Sequence, residues 1–309
     1  MDFTLKNQTS SFSHTEFIMR GFPGVSKSRG FLAIPFFSVY GLILGGNVMI
    51  MYRIWVEKSL QAPMYHLIFL LFASNISSTT AIVPGTLMAL LCGMDRVSLG
   101  GCLFQMFFVY TMVIFESNVL LLMALDRYMA ICRPLRYHEI MTRRLLLLLS
   151  TLGLFESGLL AFSIIMVAFR VEYCFSNLIL DFVCENMVLL KLGCGKIHNI
   201  QMLGLMVRIM VTSMGITLLL VSYSRILYTA MNIVTGRARH KTLHTCGTHL
   251  CIVIINYSCG LLLSIAYRMP ISTDFQNLTS AIYYLFPATI HPLIYGFRVK
   301  EIRVCLIKS

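Results

Sequence analysis

The stretch Met123-Ala124-Leu125-Asp126-Arg127-Tyr128-Met129-Ala130-Ile131-Cys132-Arg133-Pro134-Leu135-Arg136-Tyr137 closes a predominantly apolar run that begins at Cys102. A run of that length crosses the ~30 Å hydrocarbon core of a bilayer as a helix, and the charged residues after Leu125 mark its arrival at a polar boundary. Six runs of similar character flank it: Phe31–Tyr52, Tyr65–Leu91, Leu145–Phe169, Ile197–Tyr223, Leu250–Tyr267 and Ala281–Tyr295. Composition points the same way. Of 309 residues, 57% are hydrophobic and 12% charged, against about 25% charged in an ordinary globular chain; mean hydropathy is +0.78. A water-soluble chain this apolar would expose large patches and aggregate, so the solvent for most of its surface is lipid. The spans predict an all-α membrane protein, a seven-transmembrane helix bundle over residues 31–295 with segments 1–30 and 296–309 on either side. Pro287, His291 and Pro292 interrupt the seventh run. Such breaks are tolerated where neighbouring helices satisfy the freed carbonyls, which places that helix inside the bundle.

Lys and Arg sort the connections into two sides. The N-terminus with the second, fourth and sixth connections carries nine, the opposite side fifteen, while seven acidic residues fall on the first side and four on the second. The positive-inside rule then puts the N-terminus outside and the C-terminus in the cytoplasm. The net charge of +12 is thus a topology signal whose partner is anionic membrane lipid; no basic run interleaved with aromatics suggests nucleic acid. Residues 1–30 are polar and the first apolar run is full length, so no cleavable leader is expected. Asn7-Gln8-Thr9 and Asn277-Leu278-Thr279 are sequons on the outer side, Asn7 being the glycosylation candidate, whereas Asn75-Ile76-Ser77 and Asn256-Tyr257-Ser258 fall within spans. Cys102, Cys174, Cys184 and Cys194 also lie outside, where disulfides form; four cysteines allow three pairings. After Tyr295 the tail alternates Phe297, Arg298, Ile302, Arg303 and Leu306, the pattern of a short amphipathic helix lying on the membrane.

The chemistry of enzymes is missing from the pattern. There is no nucleophile elbow or phosphate-cradling glycine loop, and His244 and His249 do not share the i, i+4 spacing of a zinc pair. No enzyme activity and no cofactor are expected. A transporter would need an inverted repeat and charges chained across the membrane; only Glu116, Glu156 and Arg208 sit within the spans.

The fifteen-residue string closely resembles the signature of vertebrate olfactory receptors, a family of rhodopsin-like G-protein-coupled receptors. The resemblance recurs along the chain: Thr15-Glu16-Phe17-Ile18 and Gly21-Phe22-Pro23-Gly24 before the first span, Gly46-Asn47 in it, and Pro63-Met64-Tyr65 opening the second. Ser222-Tyr223 closes the fifth, Lys241, Thr245-Cys246 and His249-Leu250 open the sixth, and Pro292-Leu293-Ile294-Tyr295 closes the seventh. Gln105-Met106-Phe107-Phe108, Glu116-Ser117 and Tyr267-Arg268 look more like the fish-like, class I branch. The resemblance implies a plasma-membrane receptor of olfactory sensory neurons that binds a small-molecule odorant and activates a heterotrimeric G protein of the stimulatory olfactory type, raising cyclic AMP. It implies that Asp126 holds Arg127 in the resting state and that Tyr128, Tyr223, Tyr257 and Tyr295 belong to the switch; the tyrosines also suit an interfacial aromatic belt. It selects the pairings Cys102–Cys184 and Cys174–Cys194. The family's second-span Asp is Asn75 here, which weakens a sodium site shared with Glu116 and leaves the two as a polar core pair. Asn256 replaces an aromatic residue, and Arg133 a histidine.

For the ligand, the resemblance implies that Arg268 meets a carboxylate, for which a guanidinium fork is suited; snorkelling, or pairing with Asp274, is the alternative. Arg208 comes from the residues alone. An arginine deep in the fifth span is costly and needs an interior partner or wet cavity: Glu116, Glu156 or a bound anion. If both arginines line one cavity, the ligand is an anion, with one or two acidic ends. Tyr110, Val113, Ser264, Asn186 and Met187 complete the expected pocket, ordinary packing being their alternative. A rhodopsin-like receptor for a non-odorant metabolite or hormone, or a membrane transporter, are the competing functions.

Overall fold

The computed structural model describes residues 13–195, 197–232 and 236–307; Asn7 lies outside the described residues. Seven long helices form the bundle: α1 (Ala33–Val56), α2 (Pro63–Cys92), α3 (Leu99–Cys132), α5 (Arg143–Phe169), α7 (Ile197–Asn232), α8 (Gly236–Ala266) and α9 (Thr273–Arg298). Between and after them lie α4 (Pro134–Ile140), α6 (Asn186–Leu190) and α10 (Lys300–Ile307). Six of the long helices are apolar enough to cross a membrane by composition alone; α9 is the seventh, with Pro287 and Pro292 inside it, as its broken sequence leads one to expect. It packs against α1, α2 and α8, which shield it from lipid.

The helices outrun the apolar stretches. α3 continues from Leu125 to Cys132 and α7 from Tyr223 to Asn232, because backbone hydrogen bonding does not stop where the hydrocarbon does. Local chemistry sets their ends. Pro63 opens α2, where its missing N–H costs nothing, and Gly93 closes it at φ 66°, a left-handed cap that favours glycine. Ser98, Thr142 and Ser272 accept from backbone N–H groups at the starts of α3, α5 and α9, satisfying otherwise orphaned donors. α10 tucks Ile302 and Cys305 into the inner core, so the amphipathic tail is anchored on the bundle.

The outer end holds elements that hydropathy did not anticipate. β1 (Glu16–Met19) pairs antiparallel with β2 (Arg96–Ser98) and parallel with β3 (Leu178–Ile179), giving the order β2-β1-β3. Phe17 and Tyr173 are fully buried there and meet edge to face at 5.6 Å. They join Cys102, Met106, Leu189 and Leu263 in an outer core, so the long connection between α5 and α7 is packed into the mouth of the bundle. A separate inner core gathers Leu71, Phe72, Leu120, Met123 and Tyr295.

Candidate functional site

The connection between α5 and α7 is fixed from both ends. Cys102, in the first turns of α3, is joined to Cys184, and Cys174 to Cys194, with Cα–Cα distances of 5.4 and 5.9 Å. Around the first bridge the backbone is held at almost every step. Leu180 O accepts from Asn277 Nδ2 (2.8 Å), Phe182 O from Thr86 Oγ1 (3.2 Å), and Cys184 N donates to Gln105 Oε1 (3.0 Å). Asn186 N donates to the Tyr110 hydroxyl at 3.1 Å. Asn277 is wholly buried within α9, which corrects its reading as an outer-side glycosylation cue: no transferase can reach a side chain locked between two carbonyls.

This trellis drives two carboxylates inward. Asp181 is fully buried and accepts from Phe182 N (2.7 Å), Ser280 Oγ (3.3 Å) and the Tyr267 hydroxyl. Burial pushes it up to about 7, with Tyr267 pulling down and Glu185 pushing further up. Glu185 is 4% exposed and accepts from the Tyr284 hydroxyl at 2.7 Å. Burial raises it too, opposed by the Tyr284 hydrogen bond and then by Arg208, Tyr110 and Arg268. Lys191 lies 5.9 Å from the Tyr267 ring centre; burial lowers it, against the pull of Asp181.

A pH dependence follows from Asp181. Its folded value of about 7 lies above its ordinary 3.8, so the folded loop binds the proton more tightly than the unfolded chain does. The stabilisation is complete below the ordinary value and is lost as pH rises through about 7. The purified protein should therefore melt at a higher temperature near about pH 5 than near about pH 8, and Asp181→Asn should flatten most of the difference. An unchanged pH profile in that variant would assign the effect elsewhere.

The expected pocket residues divide. Tyr110, Asn186 and the outer-core residue Met187 gather beside Glu185. Arg208, half-buried on α7, reaches across to α8, its Nη2 4.0 Å from where a Gly260 β-carbon would stand. Of the two acids expected from the spans, Glu156 is exposed and accepts from Asn118 (2.7 Å) and Glu116 accepts from Asn256 (3.0 Å); the carboxylate whose charge reaches Arg208 is that of Glu185 in the connection. Arg268 is exposed at the rim and donates to Ser264 O at 2.7 Å. Asp274 instead accepts from Gly24 N (3.1 Å), so it does not hold Arg268. Ser264 turns its hydroxyl back to Gly260 O (2.8 Å), and Val113 faces the polar core below.

That core holds a cavity of about 10 Å³, at the lower limit for one water. Asn75 Nδ2 donates to Asn47 Oδ1 (3.2 Å) and faces His291 Nδ1 (3.3 Å), which stands 3.8 Å from Glu116 Oε1. Asn75 and Asn256 turn their amide nitrogens to Asn47 Oδ1 and Glu116 Oε1, so oxygens of the kind a sodium ion takes as ligands here accept hydrogen bonds from the polar core itself.

At the inner end Asp126, fully buried, accepts from Arg127 Nε (3.0 Å) and Nη2 (2.5 Å). Its other oxygen accepts from the Tyr137 hydroxyl of α4 at 2.8 Å. Arg127 borders a cavity of about 740 Å³ together with Tyr65, His244, Thr248, Arg298 and Arg303. Tyr295 approaches His249 Nδ1 (3.4 Å) and packs edge to face on Phe72. Tyr223 is buried in the inner core with Tyr128 packed against that core; the Tyr257 hydroxyl lies against Gly215 of α7. Sequence reasoning missed Asp181, Glu185 and Tyr137. Two signals were available: Glu185 follows Cys184 directly, and Tyr137 sits one helical turn beyond Pro134.

A profile of the olfactory receptor family matches residues 36–309. Human olfactory receptor 52N2 is 32% identical over 305 residues, covering 98% of this chain and 95% of that relative. Human olfactory receptor 52Z1P is 33% identical over 294 residues (94% of this chain, 98% of the relative), and human olfactory receptor 52B6 is 34% identical over 287 (92% and 85%).

Proposed function

Because the chain belongs to the olfactory receptor family, multi-pass plasma-membrane receptors of the rhodopsin-like class that bind odorants and act through G proteins, we propose that its odorants are small carboxylic acids. They bind in the outer half of the bundle at Arg208 and Arg268, and the occupied receptor activates a stimulatory G protein that raises cyclic AMP. The observation that supports this reading is the placement of Arg208 inside the bundle, its Nη2 beside Gly260 of α8, with the buried carboxylate of Glu185 near enough to feel the charge of both arginines. Guanidinium groups and tyrosine hydroxyls arranged around a carboxylate are the donors that a ligand carboxylate needs. Arg268 at the wet rim meets the acid first, and Arg208 takes it deeper, where partial desolvation strengthens the pair.

Transmission then runs through α3 to Asp126 and Arg127. The resting bundle keeps Arg127 on Asp126; a ligand that favours the other arrangement frees it toward the inner cavity. Tyr223, Tyr257 and Tyr295 line the helices that must re-pack. Asn7 is the proposed glycan acceptor, and the two disulfides keep the pocket roof in place.

The test is a cyclic-AMP screen of carboxylic acids, amines and neutral odorants on cells expressing wild type, Arg208→Ala or Arg268→Ala at matched surface abundance. Acids alone should activate wild type, and each substitution should cost about tenfold or more in potency, the equivalent of about 1.4 kcal/mol. Equal acid responses from all three proteins reject the acid reading and leave the family assignment standing. A response that bypasses cyclic AMP rejects the stimulatory coupling.

A further inference from the structure

Glu185 stands where the ligand's carboxylate is expected. It is not a surface residue that wandered inward: 4% exposed, it receives the Tyr284 hydroxyl of α9 at 2.7 Å, the Tyr284 ring packs on Tyr283 at 4.8 Å, and Tyr283 and the Arg208 guanidinium meet at Gly260 of α8, so that the charges of Arg208 and, from the rim, Arg268 reach it. The backbone on both sides is fixed. Cys184, immediately before it, is bonded to Cys102, and Asn186, immediately after it, donates its N–H to Tyr110. A group tethered this tightly has a high effective concentration at its site, so a free acid competes against it.

We propose that Glu185 is an intramolecular competitor for the carboxylate site, and that an agonist acid activates the receptor by taking its place beside Arg208. The proposal rests on the acid reading above and deepens it in two ways. It explains how Arg208 is tolerated in the resting receptor: the half-buried guanidinium has a carboxylate nearby as counter-charge, as an intramembrane arginine requires. It also narrows the ligand class. Displaced from Arg208, Glu185 is still tethered beside the site through Cys184, so two guanidinium groups against this one resident carboxylate leave a single positive charge in excess; one ligand carboxylate neutralises the site and a second would be unpaired. The preferred agonists are monocarboxylic acids, and dicarboxylic acids are disfavoured for as long as Glu185 is present. Asn186 Oδ1, buried with no hydrogen-bond partner among the described residues, adds an unmet acceptor beside this exchange point.

The experiment compares wild type, Glu185→Gln, Tyr284→Phe and Arg208→Ala at equal surface abundance. The probes are straight-chain monocarboxylic acids from butanoic to decanoic, the matching dicarboxylic acids, and the matching primary alcohols. Glutamine keeps the shape and an oxygen for the Tyr284 hydroxyl while deleting the charge. Apparent affinity scales inversely with the fraction of receptor whose site is free, so removing a resident that fills the site most of the time should raise monoacid potency about tenfold. Diacids should gain more than monoacids, and alcohols, which do not contend for Arg208, should not shift. Tyr284→Phe loosens the loop but keeps the charge, and its acid potency should stay within about threefold of wild type, a change worth less than the tenfold step.

Glu185→Gln curves that superimpose on wild type or move to higher concentration, with Arg208→Ala still impaired, overturn the competitor and leave the acid reading intact. Equal shifts for alcohols and acids, or a Tyr284→Phe receptor that reproduces the glutamine variant, assign the effect to loop loosening and overturn it too. Acid responses indifferent to Arg208, or no acid response in any of the proteins, overturn both readings together.

Discussion

Arg127→Ala should abolish agonist-driven cyclic-AMP production, a loss of about a hundredfold or more, at a surface abundance matched to wild type. The expectation comes from what the guanidinium touches. In the resting bundle it makes two bonds to Asp126, yet the same side chain borders the inner cavity. It is therefore the group placed to change partner in the switch proposed above. A helix entering from below presents unpaired carbonyls and a partial negative charge at its C-terminal end, and a guanidinium is the donor suited to them. Alanine removes the donor and leaves Asp126 buried with only Tyr137, a penalty of about 3–5 kcal/mol for an unpaired buried charge. Lower abundance could then mimic lost signalling, which is why Arg127→Lys accompanies it: lysine keeps the charge and loses the fork, and should retain partial signalling. Tyr137→Phe acts in the opposite sense. It takes a hydrogen bond worth about 1.5–3 kcal/mol from the Asp126 carboxylate, so the holder of Arg127 is itself less well held and basal cyclic AMP should rise several-fold. Full agonist response from Arg127→Ala at matched abundance would remove the latch from the mechanism.

The bundle was legible because a bilayer imposes one length and one polarity rule on every span. That rule located seven helices, marked α9 as the interior one through Pro287, His291 and Pro292, and turned the Lys/Arg asymmetry into an orientation. It has nothing to say about the outer connection. β1 and β3 are four and two residues long, too short for a period-two pattern to register, and their pairing joins segments far apart in the chain. Arg208 shows the same limit at the level of one side chain. Hydropathy reasoning searched the spans for its counter-charge and arrived at Glu116 and Glu156. The carboxylate whose charge reaches it lies in a loop, because a disulfide folds residue 185 in beside Tyr110 and Tyr284. The inner site was more legible: the Asp126–Arg127 pair and Tyr137 all fall in the stretch from Met123 to Tyr137. Tyr137 escaped notice because the turn at Pro134, which brings α4 back under α3, is a feature of three dimensions.

The second large effect belongs to that disulfide. Cys102→Ser should remove nearly all acid response and most surface-expressed receptor, whereas Cys194→Ser should be milder. The two bridges close loops of very different length, with sequence separations of 82 and 20. By chain entropy the longer closure contributes somewhat more, within a range of about 2–5 kcal/mol for either. Helices already threaded through lipid reduce that difference, so entropy alone does not rank them. Position does. Cys184 immediately precedes Glu185 and follows Asp181 by three residues, and its bond to Cys102 is the covalent link between this segment and α3. Without it, Asp181 and Glu185 stay under the roof only by hydrogen bonds, those of Tyr267, Ser280 and Tyr284 to the carboxylates and those of Asn277, Thr86, Gln105 and Tyr110 to the backbone, and a charged carboxylate released toward water has little reason to return. Arg208 then loses the carboxylate proposed above as its counter-charge inside the membrane. Cys174–Cys194 braces the far end of the same loop, where Phe175 is 74% exposed and neither buried acid lies. Surface labelling of intact cells, read beside cyclic AMP, separates misfolding from lost recognition. Within the receptor that does reach the surface, acid response should fall further for Cys102→Ser than for Cys194→Ser. Equal losses per surface receptor would mean that the bridge next to Glu185 has no special hold on the pocket.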